Sequence, residues 1–194
     1  MSERNTLVRS LHDVGLAAWF GGSLMGAVGL NGATAAASDP KERLQLSTLG
    51  WARWTPVQIA AIGAHAVGGV GLIVANRKRV RNQPGAAANT NIKLGLTVLA
   101  AGVSAYSGYL GAKLKQHENE GTHGTTEPRA GASEELKSAQ RQIKITQWAI
   151  PALTGVLVVL GAQQGEQQRG VGGLLDLASD ELSRGLKQAV SKVI

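Results

Sequence analysis

I-T-Q-W-A-I-P-A-L-T-G-V-L-V-V-L-G-A-Q-Q-G, Ile145 to Gly165, contains no Asp, Glu, Lys or Arg and carries Leu153, Val156, Leu157, Val158, Val159 and Leu160 in close succession. A helix of about 20 such residues rises far enough to cross the roughly 30 Å hydrocarbon layer of a bilayer. Three further stretches are equally free of charge: Val14 to Ser38, Thr55 to Asn76 and Leu94 to Ala112. Soluble helices keep a polar face toward water, so four such runs in one chain point to four membrane spans. The three earlier runs are rich in Gly and Ala, which add little to insertion beside Leu, Ile or Phe, and the first and third are marginal alone. Gly is nevertheless tolerated in membrane helices, where it lets backbones approach closely. Inside a soluble helix each Gly would cost roughly 1 kcal/mol relative to Ala. The expected fold class is all-α. A four-transmembrane-helix bundle occupies 1–169, with spans near 14–38, 55–76, 94–112 and 145–165, and a C-terminal amphipathic helix follows over 170–194.

The 194 residues carry a formal net charge of +7. In a soluble protein that excess would suggest nucleic acid, but its distribution here argues otherwise, and no nucleic-acid partner is expected. The densest basic cluster, Arg77, Lys78, Arg79 and Arg81 with Lys93 beyond, lies between the second and third runs without an acidic residue. The positive-inside rule places that connection in the cytoplasm. Alternation then puts both termini inside and the connections 39–54 and 113–144 outside, the topology of a multi-pass cell-membrane protein. Trp51, Trp54, Tyr106, Tyr109 and Trp148 fall toward the outer interface under the same topology, where amphipathic rings prefer to lie. Trp19 is the exception. The chain has no cysteine, which excludes disulfides, thiolate metal sites and Cys nucleophiles. Met1 to Asp13 does not read as a cleavable signal, because the apolar run after it is too long for an h-region.

Outside the spans, Ser38-Asp39-Pro40 reads as a helix start, with a capping residue before Pro at the first position. It predicts a short surface helix through about Leu46. Gln116 to Gly131, rich in Gly, Thr and Glu, predicts a flexible loop. From Ser133 the pattern turns helical, with Glu134 and Glu135 at the positive end of the helix dipole. That helix is expected to run into the fourth span, bent at Pro151. In the terminal segment, Leu175, Leu182, Leu186 and Val193 recur at helical spacing opposite a charged face, so they form the expected partner-binding face, directed to the inner leaflet or a protein.

Among candidate functional residues, His65 lies about eleven residues into the second run, near the bilayer centre, and intramembrane ionisable groups are functional candidates by default. Counting from the run ends puts Ser23, Ser104 and Thr154 at similar depth. The ordinary reading is a neutral imidazole bonded to one of those hydroxyls; the alternatives are a proton relay or ligand site, and haem ligation. As a cofactor-binding residue His65 is a weak candidate. His12 lies roughly 15 Å from its depth by helix rise, which makes it a poor second axial ligand. His12 with Asp13 reads as an interfacial dipeptide or a proton-handling pair. His117, Glu118, Glu120 and His123 lack the spacing of a helical metal site, so no metal is predicted. Arg77, Lys78, Arg79 and Arg81 are lipid-headgroup candidates as well as a topology signal. Gly22, Gly26, Gly29, Gly68, Gly71 and Gly108 lie on small-residue stripes and are expected to pack helices together. No phosphate loop, zinc helix motif or nucleophile elbow is present, so neither a catalytic residue nor a cofactor is predicted.

L-H-D-V-G-L-A-A-W-F-G-G-S-L-M-G (Leu11 to Gly26), A-Y-S-G-Y-L-G (Ala105 to Gly111), Q-W-A-I-P-A-L-T-G (Gln147 to Gly155) and G-E-Q-Q-R (Gly165 to Arg169) resemble segments of a family of small, uncharacterised actinobacterial four-helix membrane proteins. That resemblance implies a multi-pass membrane protein and supplies no activity. His12 to Gly22 is also similar to first helices of copper-resistance-type membrane proteins, but over one helix only and without a copper-ligand set. The leading expectation is a non-enzymatic structural or partner-binding membrane module that contacts membrane lipids and a protein partner or a second copy of itself. A small transporter or channel component built on a midplane polar layer around His65 is the alternative, and a membrane haem or redox protein the third.

Overall fold

The computed structural model describes residues 5–82 and 84–169. The chain divides into two compact units, residues 1–157 and 158–194. Of the second, the described part is the end of one helix, up to Arg169. The terminal segment with Leu175, Leu182, Leu186 and Val193 lies outside the described residues.

Among the described residues the elements are helical apart from one small hairpin. Helix α1 covers Thr6–Met25, continues through a π-helical turn at Gly26–Leu30, and ends as α2, Asn31–Ala35. Then come α3, Pro40–Ala75; α4, Arg77–Asn82; α5, Pro84–Gln116; and α6, Glu134–Arg169. Between α5 and α6 stand a 3-10 turn, Glu118–Glu120, and the antiparallel strands β1, Thr122–Gly124, and β2, Glu127–Pro128. Among the described residues, four helical stretches are long and apolar enough to cross a membrane: Thr6–Ala35, Pro40–Ala75, Ala87–Gln116 and Glu134–Gln163.

These helices outrun the uncharged stretches. Hydrogen bonding along a helix is indifferent to side-chain charge, so α1 begins eight residues before Val14 and takes in Arg9, His12 and Asp13. The separate surface helix expected through Leu46 is instead the first part of α3. Asp39 caps it by accepting from the Lys41 amide at 2.8 Å, Pro40 occupies the first turn, and the helix continues for 36 residues through Pro56. At 1.5 Å per residue that is about 54 Å, well beyond a hydrocarbon layer. Helix α6 is a second continuous element of 36 residues with Pro151 inside it.

The expectation of a flexible loop over Gln116 to Gly131 is corrected. Thr122, Thr125, Thr126 and Gln140 are buried there. The Gln140 side-chain amide donates to Thr122 Oγ1 at 2.7 Å and to the carbonyls of Gly124 and Thr125 at 3.1 Å each, while the Thr125 hydroxyl donates to Ser47 at 2.8 Å. Polar composition thus serves an ordered cap knit by the Gln140 amide, whose Oε1 is itself buried without a partner. Beneath it lies an apolar cluster of Leu44, Leu110, Leu114, Ala132, Leu136, Ala139 and Ile143, joining α3, α5 and the first turns of α6. A second cluster, Leu16, Trp19, Ala61, Ala100, Ile150 and Leu157, joins all four long helices.

The glycine stripes have divided roles. Gly22 of α1 and Gly26 of the π-helical turn face the rings of Trp54 and Trp51 from α3. Gly68 abuts the backbone of His12, and Gly71 the Val8 side chain. Packing by Gly29 and Gly108 is corrected: Gly29 meets only Met25 of its own helix, and among the described residues nothing stands within 4 Å of a Cβ built on Gly108. Helix α5 presents Ala100, Ser104 and Leu110 inward, which turns Gly108 out.

Candidate functional site

Where α1 crosses α3, the side chains are small enough for backbones to touch. A Cβ on Gly15 would stand 2.6 Å from the Ala61 carbonyl oxygen, and one on Gly68 would stand 2.7 Å from the Val8 carbonyl oxygen. Two histidines lie within this crossing. His12 Nδ1 contacts the main-chain carbonyl of His65 at 3.0 Å, and His65 Nδ1 contacts the carbonyl of His12 at 3.0 Å. A carbonyl oxygen only accepts, so each Nδ1 carries a hydrogen and donates it. The rings stack with centroids 4.0 Å apart and planes inclined by 20°. Each residue therefore binds the other helix through its ring and is bound through its backbone.

The expected 15 Å gap in depth between these histidines is overturned. A span beginning at Val14 leaves His12 outside the helix, whereas α1 starts at Thr6 and the antiparallel course of α3 brings His65 to the same level. The hydroxyl partners expected for His65 are also corrected. Ser23 donates to the Phe20 carbonyl at 3.0 Å and Thr154 to the Ile150 carbonyl at 2.8 Å, each on its own helix. Ser104 accepts from the Trp19 indole at 3.1 Å. The hydroxyl that reaches His65 is Thr97, 3.4 Å from Nε2. Trp19, the aromatic that departs from the outer belt, is fully buried and presents an edge to His65 with centroids 6.2 Å apart.

Counting depth from Leu94 puts Thr97 at the edge of the third span, whereas α5 begins at Pro84 and carries Thr97 well inside the helix. Lys93, Thr97 and Ser104 recur at helical spacing with the small Ala100 between them, and that stripe is the sequence signal for the α5 face toward His65. Asp13 and Lys93 act electrostatically on His65, and Arg9 and Asp13 act on Lys93. The arrangement has a definite capacity for charge. With both Nδ1 atoms donating, a proton can be taken only at Nε2. Two unit charges 4 Å apart repel by about 4 kcal/mol at an effective dielectric of about 20, so the stacked rings resist holding two protons.

Haem ligation finds little room here, since an iron at His65 Nε2 would displace the Thr97 hydroxyl and His12 covers one ring face. Among the described residues no group of three or more His, Cys, Asp or Glu side chains converges on a metal position. At the opposite end His117 Nδ1 pairs with Glu120 at 2.6 Å, Glu118 turns to the Thr48 hydroxyl at 3.5 Å, and His123 offers its carbonyl to Arg43 at 3.3 Å. Glu120 also accepts from the Ser133 amide at 2.7 Å and the Ser133 hydroxyl at 2.9 Å. These bonds, with the Ser133 amide foremost, hold its carboxyl below the usual carboxylate range.

A second polar junction lies at the level of the π-helical turn. Trp51 donates to Asn31 Oδ1 at 2.9 Å, and Asn31 donates to Gln147 Oε1 at 2.8 Å, tying α2, α3 and α6 through one amide. Arg77 and Arg81 are exposed on α4, the helix that also carries Lys78 and Arg79. No known protein family, curated protein or solved structure matches the chain.

Proposed function

We propose that this chain is a multi-pass membrane protein with both termini in the cytoplasm, acting as a non-enzymatic structural or partner-binding module. The observation that carries the reading is the engagement of the interior polar groups with one another: both His Nδ1 atoms, Trp19 with Ser104, and Asn31 with Trp51 and Gln147. Such groups knit helices rather than converge on a reacting atom. The distribution of apolar surface supports membrane insertion. Val14, Ile59, Val67 and Val98 point outward at 65–67% exposure while His65 and Thr154 are buried, the inverse of a soluble protein. The exposed Arg77 and Arg81 support a cytoplasmic α4 and contact with anionic headgroups. Membership of the actinobacterial four-helix group belongs to the same proposal. Photo-crosslinking in the native membrane tests it: a defined polypeptide or a second copy of the chain is expected, and lipid adducts alone would overturn the partner-binding part.

The charges of Asp13 and Lys93 beside His65 favour a second reading, a small transporter or channel component. His65→Ala should then abolish a measurable ion or proton flux in vesicles, and unchanged flux removes that role.

A further inference from the structure

Going beyond the module reading, we propose that His12 and His65 form a proton-responsive latch, which holds the α1–α3 crossing while the pair carries at most one proton and opens it when both rings are protonated. The geometry sets the terms. Each Nδ1–H is committed to the opposite helix's carbonyl at 3.0 Å, so Nε2 is the remaining protonation site on each ring. At His65 the first proton is accommodated without breaking a bond. The Thr97 hydroxyl, 3.4 Å from Nε2, donates to the neutral ring and accepts from the charged one. A second proton places two cations face to face at 4.0 Å.

Gly15 and Gly68 bring the two backbones together beside the rings, and each ring is pinned by its Nδ1 bond to the opposite helix. Moving the charges apart breaks those two cross-helix bonds, and with them the hold on the crossing. The charged groups acting on His65 come from two elements, Asp13 on α1 and Lys93 on α5, and Arg9 on α1 acts in turn on Lys93. Among the described residues, the charges of Asp13 and Lys93 acting on His65 are opposite in sign.

The cysteine-free chain permits a direct test. Leu7→Cys and Val74→Cys place spin labels at exposed positions near the paired ends of α1 and α3, 73% and 55% accessible. In nanodiscs the label distance should be short and narrowly distributed at about pH 8 and shift to longer values at about pH 4.5. His12→Phe keeps a flat ring while removing one proton site, so it should abolish the shift; His117→Gln, at the far end, should retain it. An unchanged wild-type distance across that range, or a shift undiminished in His12→Phe, overturns the latch. Nitrogen-15 spectra of histidine-labelled protein test the premise without any His12 or His65 variant. Both rings should be the Nδ1–H tautomer at about pH 8, and an Nε2–H tautomer at either ring overturns the proposal.

Discussion

Gly15 of α1 and His65 of α3 are in backbone contact: a Cβ on Gly15 would stand 2.6 Å from the His65 amide nitrogen. Backbone cannot yield as a flexible side chain can. Gly15→Ala and Gly68→Ala should therefore cost about 1–3 kcal/mol through forced separation of the helices. Gly108→Ala, in open space, should be neutral or stabilising by up to about 1 kcal/mol through helix propensity. Thermal unfolding in detergent reads the difference, and equal midpoints for Gly15→Ala and Gly108→Ala would contradict close packing at the crossing.

Gln140→Leu should loosen the cap. The amide shares its two hydrogens among three oxygens in a buried site, and removing it takes that donor from each, with the Gly124 carbonyl still held by the Thr122 hydroxyl, at about 1–3 kcal/mol. Faster amide exchange confined to residues 122–128 is the expected signature. Protection equal to the wild type would show that the hairpin holds itself.

Acid should release the start of α6. The Glu120 carboxyl is held below its usual range in the folded chain, so its contribution is fully present above the unfolded value and lost as pH falls through the folded one. Exchange at residues 133–137 should rise in that acidic window and be flat above it. Glu120→Gln should give the raised rate throughout, and a wild-type profile flat down to about pH 2 would remove Glu120 from the role.

Single cysteines at Gly85 and Ala130, both exposed, should label from opposite sides of the membrane, Gly85→Cys from the cytoplasm and Ala130→Cys from outside. Labelling from one side would overturn the spanning assignment.

The number and rough location of the long helices were legible in the sequence, because absence of charge over a membrane's thickness is a one-dimensional property. Helix ends were not. Arg9, Asp13 and Lys93 looked like stops, yet a helix can carry charge at its ends, and α1 and α5 pass through all three. The histidine pair was illegible for a related reason: contact between His12 and His65 depends on the register of two helices, and an eight-residue error in the start of one moves the level of the other. The cap was misread because its stabilising partner, Gln140, lies on α6, beyond the polar segment. His65 itself was visible as an ionisable residue inside an apolar run, which needs no register to notice.

The two apolar clusters also differ in what holds them. At the cap, burial of Leu44, Leu110, Leu114 and Leu136 removes surface from water, worth about 1.5–3 kcal/mol for each side chain. In the proposed membrane setting, lipid around Trp19 and Leu157 would be as apolar as the interior, so closeness of fit and hydrogen bonds would supply the cohesion. The backbone contact at Gly15 belongs to that second regime.

The wide turn at Gly26–Leu30 puts the two lengths of the first helix out of phase. A π-helical turn holds one residue more than an α-helical one, so everything beyond Leu30 is rotated by about 100° from where an unbroken helix would carry it. The lower length meshes with His65, and the upper meets Trp51 and Gln147 through Asn31. The turn acts as a gear offset between two sets of teeth. Deleting a single residue there would leave the lower engagement intact and carry Asn31 past both of its partners.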